Sequence, residues 1–236
     1  MKGVILAGGT GSRLLPLTKV TSKQLLPVYN RPMIYYPLNT LVKAGIKEIL
    51  IIVAPDHAGD YLNLLGSGKE FGVKLTYEIQ DKPRGLPEAF IIADNFIDDD
   101  NVAMILGDNI FEQDLSEEIK SFKSGGKVFA KKVSDPERFG VVKFNQNKMA
   151  ELIIEKPKEW ISDYAITGLY LYDYRVVDVA KNCKPSERNE LEIVDLHNWY
   201  LQKNELEVAE VTGEWIDAGT FESLLRANIL MSEKAH

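Results

Sequence analysis

Four short strand-like runs at residues 3–7, 48–54, 74–80 and 102–106, all but the third nearly continuous in apolar residues, alternate with helical patterns at residues 32–44, 58–65, 87–96 and 115–122. Strands with so few polar residues must be covered on both faces, and parallel strands need a crossover that a helix supplies. The alternation therefore specifies an α/β sandwich, three layers deep, with a mostly parallel central sheet. After residue 125 the rhythm changes to closely spaced strands at 127–133, 140–144, 149–155 and 165–172, with helices at 174–181, 190–203 and from 220 onward. No Ser-, Gly- or Pro-rich linker separates the halves, so the second half reads as a strand-rich extension of the first sheet. The expectation is a single domain, 1–236, in two continuous halves, 1–124 and 125–236.

Composition limits the function classes. The 236 residues are 45% hydrophobic, enough for a substantial core, and carry a net charge of −7 with no basic run. Neither a nucleic-acid nor a membrane footprint is expected, and an anionic ligand must meet a local basic cluster. The apolar runs are too short to span a bilayer, and the first residues read directly into a strand, so a cytoplasmic location is expected. Residues 98–100 are an acidic turn. Tyr35, Tyr36, Leu38, Leu41 and Val42 have the spacing of a helix face packed on the sheet. Ile193, Leu196 and Tyr200 form a similar stripe, for the core or a subunit interface. Cys183 reads as inert. His57, His197 and His236 lack ligand spacing, which argues against zinc.

The first strand runs into Leu6-Ala7-Gly8-Gly9-Thr10-Gly11-Ser12-Arg13. A glycine-rich turn at the carboxyl edge of a parallel sheet lets backbone N–H groups approach phosphate oxygens, and Arg13 adds a planar cation. The same residues also make a tight turn with a surface arginine. The spacing is not that of a dinucleotide fingerprint, and neither Gly68-Lys69 nor Gly126-Lys127 is followed by Ser or Thr as a P-loop requires.

That glycine segment, with Leu14, Pro16 and Ser22-Lys23-Gln24-Leu25-Leu26-Pro27, resembles the signature of the sugar-1-phosphate nucleotidyltransferases. The segments Arg31-Pro32-Met33-Ile34-Tyr35-Tyr36-Pro37, Leu106-Gly107-Asp108-Asn109-Ile110-Phe111, Asp135-Pro136-Glu137-Arg138-Phe139-Gly140-Val141-Val142, Glu155-Lys156-Pro157 and Thr167-Gly168-Leu169-Tyr170 are similar to the branch that makes dTDP-glucose. The resemblance runs from Met1 to about Asn228. It implies a Rossmann-like fold with a sugar-binding extension, and Mg²⁺-dependent attack of a sugar 1-phosphate on the α-phosphorus of dTTP or UTP, releasing pyrophosphate. By the same resemblance, Arg13 stabilises the departing pyrophosphate, Lys23 sits between the reacting phosphates, and Asp108 with Asp217 holds Mg²⁺. Residues 6–12, Gln24, Gln80 and Gly85 would receive the nucleotide. Asn109, Gly140, Glu155, Lys156, Ile166, Thr167, Tyr170 and Arg188 would receive the sugar phosphate. Taken singly, Asp108 and Asp217 are also ordinary turn or N-cap residues, and Glu155-Lys156 an exposed strand end.

Two features depart from the family pattern. Arg84 and Pro87 stand in the loop after Gln80 where acidic or small residues are expected. Longer family members continue past the helix that begins near residue 220 with a helical segment serving allostery and subunit contacts, so feedback inhibition and a tetramer are not carried over; a homo-oligomer is expected. Three functions follow in order: thymidylyl transfer to glucose 1-phosphate, a uridylyltransferase of broader sugar choice, and a non-catalytic nucleotide-sugar sensor.

Overall fold

Strand β1 (Lys2–Ala7) sits in the middle of a nine-stranded sheet, and the computed structural model that reveals it describes residues 1–234. The strands after it are β2 (Pro27–Val28), β3 (Arg31–Pro32), β4 (Glu48–Val53), β5 (Lys74–Ile79), β6 (Val102–Leu106), β7 (Asn109–Phe111), β8 (Gly126–Lys132), β9 (Gly140–Phe144), β10 (Ala150–Glu155), β11 (Tyr164–Tyr172), β12 (Leu206–Glu210) and β13 (Trp215–Asp217). The helices are α1 (Tyr35–Lys43), α2 (Ala58–Leu65), α3 (Glu88–Ile92), α4 (Asp94–Ile97), α5 (Ser116–Lys120), α6 (Val176–Asn182), α7 (Ile193–Gln202) and α8 (Phe221–Glu233).

The apolar strands β4, β1 and β6 pair in parallel, and the more polar β5 pairs in parallel with β4 at the sheet's edge. The second half enters the same sheet through β11, which is antiparallel to β6, β8 and β9. β10 extends it antiparallel to β9, and β12 pairs in parallel with β8.

Alternate residues of the central strands serve two cores. Val4, Leu6, Leu50, Ile52, Val102 and Met104 pack with α3, α6 and α7, while Ile5, Ala7, Ile49, Ile51, Ala103 and Ile105 pack with α1, α2 and α5. Each fully buried Leu, Ile or Val contributes about 1.5–3 kcal/mol, and that burial is why neither face tolerates a polar residue. A third cluster, including Leu14, Leu26, Ile110, Ile216 and Leu224, seats the glycine-loop segment and α8 against the sheet's carboxyl edge. Leu38 and Leu41 are buried as expected, and so are Ile193, Leu196 and Tyr200, which join a core rather than a subunit surface.

The helix expected at 87–96 is instead two helices that part at Ala93, where ψ is 4°. Asp94 and Asn95 follow at once, and their short polar side chains compete for backbone groups that a continuous helix would use. Strands β2, β3, β7, β12 and β13 were not anticipated; four of the five are only two or three residues long, too short for a period to register.

Candidate active site

Because β1 and β6 are parallel neighbours, their carboxyl ends open on the same edge. There a cleft of about 440 Å³ is lined by Leu6, Gly9 and Arg13 on one side and by Gly140, Glu155 and Tyr170 of the strand-rich half on the other. This is where open α/β sheets place ligands.

Asp108 follows β6, and Asp217 ends β13. The antiparallel pair β7–β13 sets Asp217 opposite Asn109, and the Ala218 N–H donates to the Asp108 carbonyl at 2.9 Å. Two aspartates distant in sequence are thus fixed side by side. Lys23, presented by a short 3₁₀ turn, forms an ion pair with the Asp108 carboxylate. Burial opposes the charge on both partners, but their attraction outweighs it: the lysine titrates above its usual range and Asp108 below. Asp217 behaves oppositely. Burial, and then the Asp108 charge, push its carboxyl up to about 6, and its Oδ1 is buried without a hydrogen-bond partner.

An orphaned carboxylate oxygen beside a second carboxylate is a donor set for a hard divalent cation whose remaining ligands are water and phosphate oxygens. Among the described residues there is no group of three or more His, Cys, Asp and Glu side chains placed to hold a metal ion. Two aspartates alone therefore fit an ion shared with substrate, and not a closed protein cage.

A carboxyl raised on folding favours the native state only while it is protonated, so its contribution falls as pH rises from the unfolded value near 4 through about 6. In metal-free buffer the melting temperature of the wild type is expected to drop over that window, whereas Asp217→Asn should show a flatter profile and melt several degrees higher at pH 7.5. Thermal scans in chelator between pH 4 and 8 check this; parallel profiles would contradict it.

The glycine loop divides its work. Gly8 is buried against Gln80, whose Oε1 lies 2.4 Å from where a Cβ would stand, while Gly9 has open space on that side. Gly11 adopts φ 64°, and its carbonyl accepts from the Thr18 hydroxyl at 2.9 Å. Arg13 is exposed and lines the cleft. Ala7, Gly8, Thr10, Gly11, Ser12 and Lys23 are not among the cleft-lining residues; Ala7 faces the core beneath α1.

Several expected contact residues are occupied elsewhere. Gln24 is 2% exposed, with its Oε1 accepting from Ser22 at 2.8 Å and Tyr61 at 3.2 Å, so it braces the Lys23 turn instead of facing the cleft. Asn109 lines the cleft and is largely engaged: its Oδ1 accepts from the Gly168 N–H and the Trp215 indole, and one N–H of its Nδ2 donates to Asp108. It orients the aspartate. Thr167 is different: it lines the cleft, fully buried, and its hydroxyl has no protein partner. Arg188 is held by Glu192 at 2.6 Å and by Glu155 at 3.3 Å.

Gln80, Gly85, Gly140, Glu155, Lys156, Ile166, Thr167, Tyr170 and Arg188 all line the cleft. Burial raises the Glu155 carboxyl, against the pull of Lys156 and Arg188. Sequence reasoning missed Arg138, Phe139 and Trp215, which complete the wall beside Asp217. Phe139 and Trp215 meet edge to face, 5.1 Å between centroids, although they lie far apart in the sequence. The remaining titratable candidates are structural. His197 is fully buried, which lowers it to about 3, and its Nδ1 is bonded to the Tyr172 hydroxyl. His57 pairs with Asp60. Burial pushes the Cys183 thiol up to about 11. His236 lies outside the described residues.

The family model for nucleotidyl transferases matches residues 2–234. A glucose-1-phosphate thymidylyltransferase of Neisseria meningitidis is 52% identical, over 96% of this chain and 81% of its own. The same enzyme of Mycolicibacterium smegmatis is 48% identical, over 97% and 81%. Among solved structures, one from Bacillus anthracis, assigned as a glucose-1-phosphate thymidylyltransferase and crystallised with a sucrose, superposes with a TM-score of 0.92 at 52% identity, covering 98% of this chain and 94% of that one. A UDP-glucose pyrophosphorylase with UDP-glucose superposes at 0.86 with 22% identity, which speaks to the fold alone.

Proposed function

The chain belongs to the nucleotidyl transferase family, and from that premise we propose that it transfers a thymidylyl group from dTTP to glucose 1-phosphate, releasing dTDP-glucose and pyrophosphate. The observation that carries the reading is the pairing of Asp108 and Asp217 in the wall of a cleft that also holds Glu155 and Lys156, with the Lys23 ammonium bound to Asp108 behind them.

A phosphate oxygen of glucose 1-phosphate attacks the α-phosphorus, the bond to the β-phosphate oxygen breaks, and that oxygen leaves with pyrophosphate. Two anions must approach, so the protein's task is alignment and charge neutralisation. Lys23, locked in place by Asp108, offers its ammonium between the reacting phosphates. Arg13, exposed above the glycine loop, meets the departing pyrophosphate. Asp108 and Asp217 would hold Mg²⁺, which when bound screens the phosphate charge. Gln80 and the Gly85 backbone receive the base; Glu155 accepts from sugar hydroxyls, and Lys156 meets the sugar phosphate.

The Gln80 amide matches an edge that thymine and uracil share, so the assay must compare both. Pyrophosphate release with Mg²⁺ and glucose 1-phosphate, at equal low dTTP and UTP, should put dTTP ahead, with dTDP-glucose identified by mass. A UTP lead would move the enzyme to another sugar nucleotide, and binding without release would make it a sensor. Lys156, exposed at φ 42° with its ammonium 3.6 Å from Glu155, is free to turn to a ligand. Lys156→Ala should raise KM for glucose 1-phosphate about tenfold with little change in kcat, since a lost charge-assisted hydrogen bond costs roughly 1.5–3 kcal/mol. Initial rates over sugar-phosphate concentration decide it.

The reading includes one continuous domain, supported by β11 pairing with strands of both halves, and a homo-oligomer, supported by Phe221, Leu225 and Ile229 exposed in a row on α8. Among the described residues no helix is long and apolar enough to cross a membrane, and a cytoplasmic site suits the nucleotide substrates.

A further inference from the structure

The contacts around Gln80 form a closed set. Glu88, the first residue of α3, is 5% exposed. Its Oε2 accepts from Gln80 Nε2 at 2.8 Å and from the Arg84 backbone N–H at 3.0 Å, and its Oε1 accepts from Arg84 Nε at 2.6 Å. A second guanidinium nitrogen of Arg84 also lies 2.6 Å from Oε1. A carboxylate paired with a guanidinium has no proton to give, so only the NH₂ of Gln80 can face it. The amide oxygen is turned the other way, against the buried Gly8, and Gln80 itself forms part of the cleft wall. A free glutamine presents oxygen or NH₂ by a half-turn of its last bond; this one is held in a single orientation. Arg84, one of the two loop residues that depart from the family pattern, closes the lock.

We propose that Glu88 is a specificity-determining positioning residue: by fixing the Gln80 amide it restricts the cleft to nucleoside triphosphates whose base offers an imide N–H, thymine or uracil, and excludes cytosine. The inference rests on the reading of Gln80 as the residue that meets the base. At the ring position where thymine and uracil carry N–H, cytosine carries a lone pair, which would face the Gln80 oxygen. Turning the amide to meet it would drive that oxygen onto the Glu88 carboxylate. Either arrangement leaves buried acceptors opposed, a mismatch worth about 10- to 100-fold in affinity.

The test is equilibrium binding of dTTP and dCTP, by calorimetry without sugar phosphate, to the wild type and to Glu88→Gln. The wild type should bind dTTP at least about tenfold more tightly than dCTP. In Glu88→Gln that ratio should shrink by about tenfold, because the new side chain carries both a donor and an acceptor and accommodates either orientation of Gln80. General loosening of the loop would weaken both nucleotides alike and leave the ratio standing, so an unchanged ratio in a folded variant overturns the proposal. Should the variant not fold, the wild type decides alone: dTTP and dCTP bound within about threefold of each other overturns it. Equal binding would remove only this inference, whereas binding of neither nucleotide would remove the nucleotide site and this inference together.

Discussion

Asp108→Asn is expected to lower kcat by about a thousandfold while the melting temperature stays within a few degrees of the wild type. The activity loss has two sources. The substitution removes one of the two carboxylates that would hold the metal ion, and it releases the Lys23 ammonium from the partner that aims it. Each is an electrostatic contribution made in a site shielded from water, where loss of a single such group costs roughly 10²–10³ in rate. Stability is spared because the loss is offset locally. A buried lysine without its partner would be strongly destabilising. Here Asp217, already attracted by Lys23 and raised by the Asp108 charge, becomes easier to ionise once that charge is gone and takes over the pairing. Pyrophosphate release and calorimetric melting on the same preparation check both halves. A variant that unfolds at the assay temperature would make Asp108 a residue of the fold, not of the chemistry.

The same pair of aspartates marks how far the sequence could be read. Asp108 was legible because only Gly107 separates it from Val102 to Leu106, a run that cannot be anything but a buried strand, so its side chain had to emerge at the carboxyl edge. Asp217 could be read as the end of a β-rich stretch before a helix, but its place beside Asp108 came only through resemblance: it depends on a three-residue strand pairing with another three-residue strand more than a hundred positions away, and no local period encodes that register. The central strands could be read for the same reason as Asp108, since their composition demands cover on both faces. Gln24 shows the opposite limit. Its chemistry suits a base-reading amide, but Ser22 and Tyr61, the latter from α2, draw it inward, and residue type alone does not say which partners arrive first. Asn109 and Arg188, assigned to the ligand by resemblance, line the cleft but are also engaged by the protein, the one bonded to Asp108 and the other to Glu192.

Gly85→Ala is expected to lower kcat/KM for dTTP by about a hundredfold through KM, and to raise KM for glucose 1-phosphate as well, although residue 85 sits in the loop after Gln80. Gly85 has φ 111°, a conformation that an L side chain rarely adopts. A Cβ there would lie 2.1 Å from the Leu191 carbonyl oxygen and 2.6 Å from the Leu191 nitrogen, and backbone atoms cannot swing aside as a side chain would. The two segments form a parallel bridge at this point, with the Leu191 N–H donating to the Arg84 carbonyl at 2.8 Å. Relief of the clash therefore means parting the strap across the cleft. One side of that strap carries Arg84, which secures Glu88 and through it Gln80; the other runs between Arg188 and Glu192, which pair with each other beside Glu155. Both substrates should feel the change because the strap joins their subsites. The sheet should not, since the central strands and their two cores lie beneath the loops, and the melting temperature should fall by only a few degrees. Strain of this kind is worth roughly 1–3 kcal/mol, in line with a loss of up to about a hundredfold in affinity. Initial-rate measurements varying each substrate in turn separate the possibilities: a rise in both KM values is the signature of the strap, a rise for dTTP alone would confine Gly85 to the base, and no rise in either would mean that the two loops part without consequence for binding.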